Sequence, residues 1–131
     1  MALAPPARFA PLRYLLPVSG HLAVGFGESV PGKARSRGIA VVARGGAQAV
    51  APGAGRVAFA GPYEGYGNIV IIEHGSGWTS LVTGIAQLDA RVGQELIAGS
   101  PLGQAGPGQP VLSLELRHDG EPVNPLDFLK G

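Results

Sequence analysis

Between Pro110 and Pro125 the chain reads PVLSLELRHDGEPVNP, and this stretch limits the possible folds more than any other. Leu112, Leu114 and Leu116 alternate with Ser113, Glu115 and Arg117, the period-two pattern of a strand with one buried and one open face. The Asp119-Gly120 step that follows marks a hairpin, with a short return ending in Val-Asn-Pro.

The rest of the chain repeats the same grammar. Residues 17–28 read as a strand entering the domain, and residues 29–38, SVPGKARSRG, as an exposed loop. GIAVVA at 38–43 is a buried strand, and residues 47–61 give two strands around Pro52-Gly53. In GNIVIIEHG, residues 67–75, Ile69, Ile71 and Glu73 share one face and Val70 and Ile72 the other. Apolar residues on both faces predict a central strand. WTSLVTGI, residues 78–85, is its expected hairpin partner through the loop His74-Gly75-Ser76-Gly77, and residues 91–106 form a turn-rich arch. No segment keeps a helical period for 12 residues or more, so at most one or two helical turns are expected. The predicted fold class is all-β, a single domain of short antiparallel strands. Residues 1–16, with Pro5, Pro6 and Pro11, are expected as a leader or linker, and residues 17–131 as the domain.

Composition sharpens this reading. The 22 glycines and 12 prolines are about a quarter of the 131 residues, a share that can signal low complexity. Beside 45% hydrophobic and only 15% charged residues they are better read as turn residues between strands. Without cysteine there is neither a disulfide nor a thiolate metal site. The net charge of +1 hides an uneven spread: Lys33, Arg35, Arg37, Arg44 and Arg56 occur between Glu28 and Glu64 with no acid among them. That basic face suits an acidic partner or an anionic polymer as well as plain solvent. Nucleic acid fits poorly, because aromatics do not interleave with the basic residues. No apolar run approaches the roughly 20 residues of a membrane span, and the first residues lack the basic start and apolar run of a signal peptide.

The 110–125 stretch resembles the last motif of lysostaphin/LytM-type zinc endopeptidases, in which the strand reads His-Leu-His-Phe-Glu-Ile-Arg before a turn and Val-Asn-Pro. The resemblance covers roughly residues 17–129 and keeps the motifs in order. It implies a LytM-like β-sandwich of the duplicated hybrid motif type. Ser36-Arg37-Gly38-Ile39-Ala40 stands where the family has His-x-Gly-x-Asp, Leu81-Val82-Thr83-Gly84 where it has Tyr-x-His-Leu, and Val111-Leu112-Ser113 where it has His-x-His. Ser36, Ala40, Thr83, Val111 and Ser113 therefore occupy the degenerate ligand and catalytic positions. Zinc needs three or four converging N, O or S donors; alanine and valine offer none, and hydroxyls are poor zinc ligands. No cofactor, no metal and no hydrolase activity of the family type are therefore expected.

Within that family the chain is most similar to EnvC-type activators of cell-wall amidases. The features that carry this are the basic loop leading into Arg37-Gly38, the phrase YGNIVIIEHG at 66–75, and GPGQPVLSLELRHDGEPVNPLDFLKG at 106–131. The resemblance implies a periplasmic, non-catalytic activator whose vestigial active-site groove binds the regulatory helix of a zinc-dependent N-acetylmuramoyl-L-alanine amidase during septal peptidoglycan splitting. Such a groove needs an apolar floor and a charged rim. Ala40, Ile69, Leu81 and Val111 are the expected floor, Arg37, Tyr66 and Arg117 the expected rim, and Ser113 lies in the same groove. Glu115 is expected to pair with Arg117 or with an arginine of the 33–44 loop.

Two other classes use the same stretches of sequence. A peptidoglycan-binding module without an amidase partner would use the same basic groove, although exposed aromatics for sugar stacking are few. A biotinyl or lipoyl-type carrier resembles the 91–103 arch but needs a lysine at a hairpin tip, and only Lys33 and Lys130 exist. His21, His74 and His118 stand at none of the ligand positions and are expected to be structural or solvent-facing. Ser36, Ser80 and Ser113 have no histidine with an acidic orienter at a recognisable spacing, which leaves nucleophilic catalysis without a candidate.

Overall fold

The computed structural model of the chain describes residues 14–29, 32 and 35–129. Among the described residues eleven strands run in chain order: β1 Gly20–Val24, β2 Ile39–Ala43, β3 Gln48–Val50, β4 Gly55–Tyr63, β5 Gly67–Gly75, β6 Trp78–Ile85, β7 Gln87–Leu88, β8 Glu95–Leu96, β9 Pro101–Gln104, β10 Val111–His118 and β11 Glu121–Val123. They are followed by a 3-10 turn at Pro125–Phe128, capped by the Asn124 side chain. The main sheet has eight strands in the order β1-β2-β10-β6-β5-β4-β8, with β11 on the second half of β10; a smaller sheet runs β3-β9-β7. All the strand pairings are antiparallel. The fold class read from the sequence is the one observed.

The alternation in β10 decides which side of the main sheet is covered. Leu112, Leu114 and Leu116 are fully buried and join Ile39, Val41, Val57, Val70, Ile72, Val82 and Ile85 on the inner face, with Ala49 and Leu102 from the small sheet. Each such aliphatic side chain stabilises the fold by about 1.5–3 kcal/mol on burial. The outer face carries the other half of the pattern and stays open. The strand β5 is central, between β6 and β4, as its two apolar faces predict.

Two turns fix the register of the open face. Asp119 and Gly120 have φ of 52° and 86°, and Ser76 and Gly77 have 54° and 83°, the left-handed pair of a two-residue hairpin loop whose twist matches its strands. The second loop is tighter than the one read from sequence: β5 runs on through Gly75, which pairs with Trp78, so His74 is a strand residue. Gly84 is needed for a different reason, because a Cβ there would lie 2.4 Å from the Val111 carbonyl oxygen. That closeness holds β6 against β10 at the edge of the open face.

Tyr14 lies in the stretch expected as leader and is fully buried in the core, while residues 1–13 lie outside the described residues. Its neighbour Leu15 donates its amide to Pro52 O at 2.8 Å, and Val50 donates to Pro17 O at 2.8 Å, so residues 14–17 are packed as part of the domain.

Candidate functional site

Strand register places the outward side chains in rows across the main sheet, because directly paired residues point the same way. One row runs Val24, Ala40, Ser113, Thr83 through the pairs of β1, β2, β10 and β6. The next runs Glu115, Leu81, Ile71, Phe59 across β10, β6, β5 and β4. A third begins with Arg117 and Thr79 and reaches Glu73 and Arg56. The β4–β5 turn and the loop before β2 rise at the two sides. Together they enclose an open groove of about 730 Å³ lined by Arg35, Arg37, Tyr63, Tyr66, Ile69, Ile71, Thr79, Leu81, Thr83, Ser113, Glu115 and Arg117.

Six of the eight residues expected in a groove are brought together there: Arg37, Tyr66, Ile69, Leu81, Ser113 and Arg117. Ala40 and Val111 are not among its lining residues. Ala40 sits one strand farther out than Ser113. Val111 lies two residues before Ser113 on β10, beside Val42, and is 52% exposed beyond the groove's end. Thr83 lines the groove, whereas the Ser36 hydroxyl folds back to donate to Gly38 O at 2.7 Å. The sequence reading missed Arg35, Tyr63, Ile71 and Thr79 as groove residues. Ile71 and Thr79 follow from period two beside Ile69 and Leu81. Tyr63 shows no strand signal, because Pro62-Tyr63-Glu64-Gly65 reads only as a turn.

The groove is apolar in its floor and basic at one side. Three of its lining residues are arginines and one, Glu115, is acidic. The Glu115 carboxylate accepts from Arg117 Nε, with side-chain exposures of 17% and 39%, which is the pairing expected from sequence. Arg35 Nη1 donates to Gly27 O at 3.3 Å and ties the loop before β2 to the turn after β1. Of the other cations expected on a basic face, Arg44 and Arg56 do not line the groove and Lys33 lies outside the described residues. Tyr63 and Tyr66 are 57% and 56% exposed, and their rings stand 5.9 Å apart at 43°.

The residues that the resemblance sets at the ligand positions are poor partners for the zinc ion it implies. In the row Ala40, Ser113, Thr83 the first has no donor atom, and the two hydroxyls are hydrogen-bonded to each other. Ser36 is committed to its own loop. Among the described residues no group of three His, Cys, Asp or Glu side chains converges. The histidines are scattered: His21 is exposed on β1, His118 stacks on Trp78 at 4.2 Å and 11°, and His74 is held on the covered side.

A serine–histidine pair does exist, unforeseen in the sequence, at Ser80 and His74. Ala54 O can only accept, so the 2.6 Å contact to His74 Nδ1 places the proton on that nitrogen. Burial disfavours the imidazolium and lowers the His74 pKa below 6.5, against a smaller opposing effect of the Ala54 bond. Nε2 of the neutral ring then accepts from the Ser80 hydroxyl at 2.7 Å, which in turn accepts from the Tyr14 hydroxyl at 2.8 Å. Burial also pushes the Tyr14 pKa up, which keeps the phenol protonated as a donor. Ser80 is fully buried with no carboxylate behind the ring, so this chain of bonds anchors Tyr14 and offers no accessible nucleophile.

A family model described as peptidase family M23 matches residues 34–125. The chain is 35% identical over 117 residues to the murein hydrolase activator EnvC of Escherichia coli K12, covering 86% of this chain and 28% of that protein. It is 34% identical over 117 residues to the murein hydrolase activator NlpD of Salmonella typhimurium LT2, covering 86% and 30%. The chain thus spans less than a third of the length of these curated relatives. Among solved structures, Helicobacter pylori Csd3 superposes with a TM-score of 0.80 at 25% identity, over 93% of this chain and 36% of that one. Lysostaphin superposes with a TM-score of 0.75 at 17% identity, over 91% and 54%, a likeness of fold.

Proposed function

The chain belongs to peptidase family M23, and from that membership and the groove we propose that it is a non-catalytic activator of a zinc-dependent N-acetylmuramoyl-L-alanine amidase. It works in the periplasm at the dividing wall. The observation that carries the reading is the open groove itself, floored by Ile69, Ile71 and Leu81 and rimmed by Arg35, Arg37 and Arg117. Relatives named murein hydrolase activators support the same reading.

The mechanism follows from what such a surface can hold. An amphipathic helix buries its apolar side on the aliphatic floor and sets acidic side chains against the arginines. If that helix is the one by which the amidase covers its own zinc, holding it in the groove uncovers the amidase site. The domain shifts the amidase toward its open state by its preference for the released helix, and it need do no chemistry. Ser113 and Thr83, hydrogen-bonded to each other, present methyl and methylene surface in place of metal ligands.

Release of dye-labelled peptidoglycan by a cognate amidase, with and without the domain, tests the proposal. Release above the amidase's own rate is expected only when both proteins are present, and none from the domain alone with or without added zinc. Release by the domain alone, or no stimulation in any mixture, would overturn it. A second reading is supported by the exposed Tyr63–Tyr66 pair at the groove's side: a stacking platform for sugar rings, making the domain a peptidoglycan-binding module. Sedimentation with purified sacculi, lost on replacing both tyrosines with alanine, is its test.

A further inference from the structure

The groove is not the same at its two ends, and strand register says which end is which. Arg117 pairs with Thr79 at the start of β6. Gly38 packs so tightly on the backbone of Leu114 and Glu115, 2.2 Å from a Cβ position to Leu114 O, that Arg37 beside it stands level with this same end. The Glu115 carboxylate there is already bonded to Arg117, so it neutralises one of the cations and leaves the end positive. At the other end Gly84 donates its amide to Tyr66 O at 2.9 Å, which brings the Tyr63–Tyr66 pair to the end of β6. Between the ends the floor is formed by Ile69, Ile71 and Leu81, with the mutually bonded Ser113 and Thr83 hydroxyls beside them.

The span fits a definite length of ligand. From Thr79 to Gly84 the strand advances by about 3.3 Å per residue, about 17 Å in all. At ~1.5 Å per residue that is about 11 residues of α-helix, or three turns.

Resting on the helix-docking reading above, we infer that the groove imposes one polarity on its ligand. It takes a three-turn amphipathic helix whose acidic side chains are gathered in the terminal turn that meets Arg37 and Arg117, and whose opposite end presents apolar side chains to Tyr63 and Tyr66. A charge cluster at the tyrosine end would lose its counter-ions and lie over aromatic faces whose quadrupole repels anions. Reversal of the helix is thereby excluded, and a helix with the same residues spread evenly is a poorer ligand.

Two synthetic 12-residue amphipathic peptides of identical composition test this. One carries its three glutamates in a single terminal turn and the other has them evenly spaced; each bears a nitroxide at one end or the other. The clustered peptide is expected to bind at least about fivefold more tightly by fluorescence anisotropy. With the nitroxide at its acidic end, the amide signals of Thr79 and Arg117 broaden; with the nitroxide at its apolar end, those of Tyr66 and Gly84 broaden. Equal affinities, or broadening of both ends by either label, would overturn the polarity while leaving the groove as the docking surface. Failure of both peptides to perturb any groove signal would overturn the polarity and the helix-docking reading together.

Discussion

Reversing the charge of Arg117 tests the groove where its electrostatics are best defined. The guanidinium is 39% exposed, so its attraction for a ligand carboxylate at about 4 Å lies between the ~1 kcal/mol of open water and the ~4 kcal/mol of a protein surface pair. Arg117→Glu removes that attraction, adds a repulsion, and places a second carboxylate beside Glu115 on the same face of β10. Groove residues then carry as many acids as bases. A loss near 2 kcal/mol is expected, about 30-fold in Kd. The fold should tolerate the change, since a partly exposed ion pair contributes at most about 1 kcal/mol to stability. Anisotropy of a labelled amidase regulatory helix measures the first quantity and calorimetric unfolding the second. Arg117→Gln should fall between wild type and Arg117→Glu, and a helix with lysine in place of its acidic residue should recover affinity for Arg117→Glu. Binding by Arg117→Glu within threefold of wild type, in a protein that unfolds as before, would refute the placement of acidic ligand groups at this end.

Three further outcomes follow from the covered side of the sheet and from the edge of the groove. Tyr14→Phe deletes the hydroxyl that Ser80 accepts from and should cost about 1 kcal/mol, whereas Tyr14→Ala should cost about 3–5 kcal/mol by opening a cavity; chemical denaturation separates them, and equal losses would contradict the hydrogen-bond chain. The folded-state pKa of His74 lies below its usual 6.5, so its contribution to stability is complete at higher pH and is lost as pH falls from about 6.5 through the folded value. Melting temperatures measured from pH 8 to pH 5 should fall below about 6.5, and His74→Gln should flatten that part of the profile; an unchanged slope would count against it. Gly84→Ala combines a φ of 88° with a Cβ 2.4 Å from Val111 O and should cost more than about 2 kcal/mol, with the largest amide shifts at β6 and β10. A variant as stable as the parent would show that β6 and β10 can separate freely there.

Much of this architecture is written in local pattern. The β10 leucines, the Asp119-Gly120 turn and the two-sided apolar run of β5 each specify their element without help from distant residues, because alternation and positive-φ preference act over a few positions. The groove face is legible for the same reason: once Leu112 and Leu114 point inward, Ser113, Glu115 and Arg117 must point outward. What was not legible depends on contacts between distant segments. Tyr14 lies 66 residues from Ser80, and no spacing rule announces their bond. His74 reads as a turn residue because Gly75 and Gly77 flank Ser76, yet only two of these residues make the loop. Ala40 and Val111 share the groove's face of the sheet, but how far a groove extends along a face is set by what walls it, here the end of β4 with Tyr63 and the turn with Tyr66.

On the proposed reading, the amidase is held in this groove while it is being activated. Photo-crosslinking from position 81 in the stimulated reaction puts that contact to the test, with Val92, 63% exposed in the arch after β7, as the comparison position. A photoreactive side chain replacing Leu81 should capture the amidase's regulatory helix, identified by mass spectrometry of the linked peptides, and one replacing Val92 should not. Capture of the amidase from position 92 but not 81, with stimulation intact, would place the activating contact elsewhere on the domain.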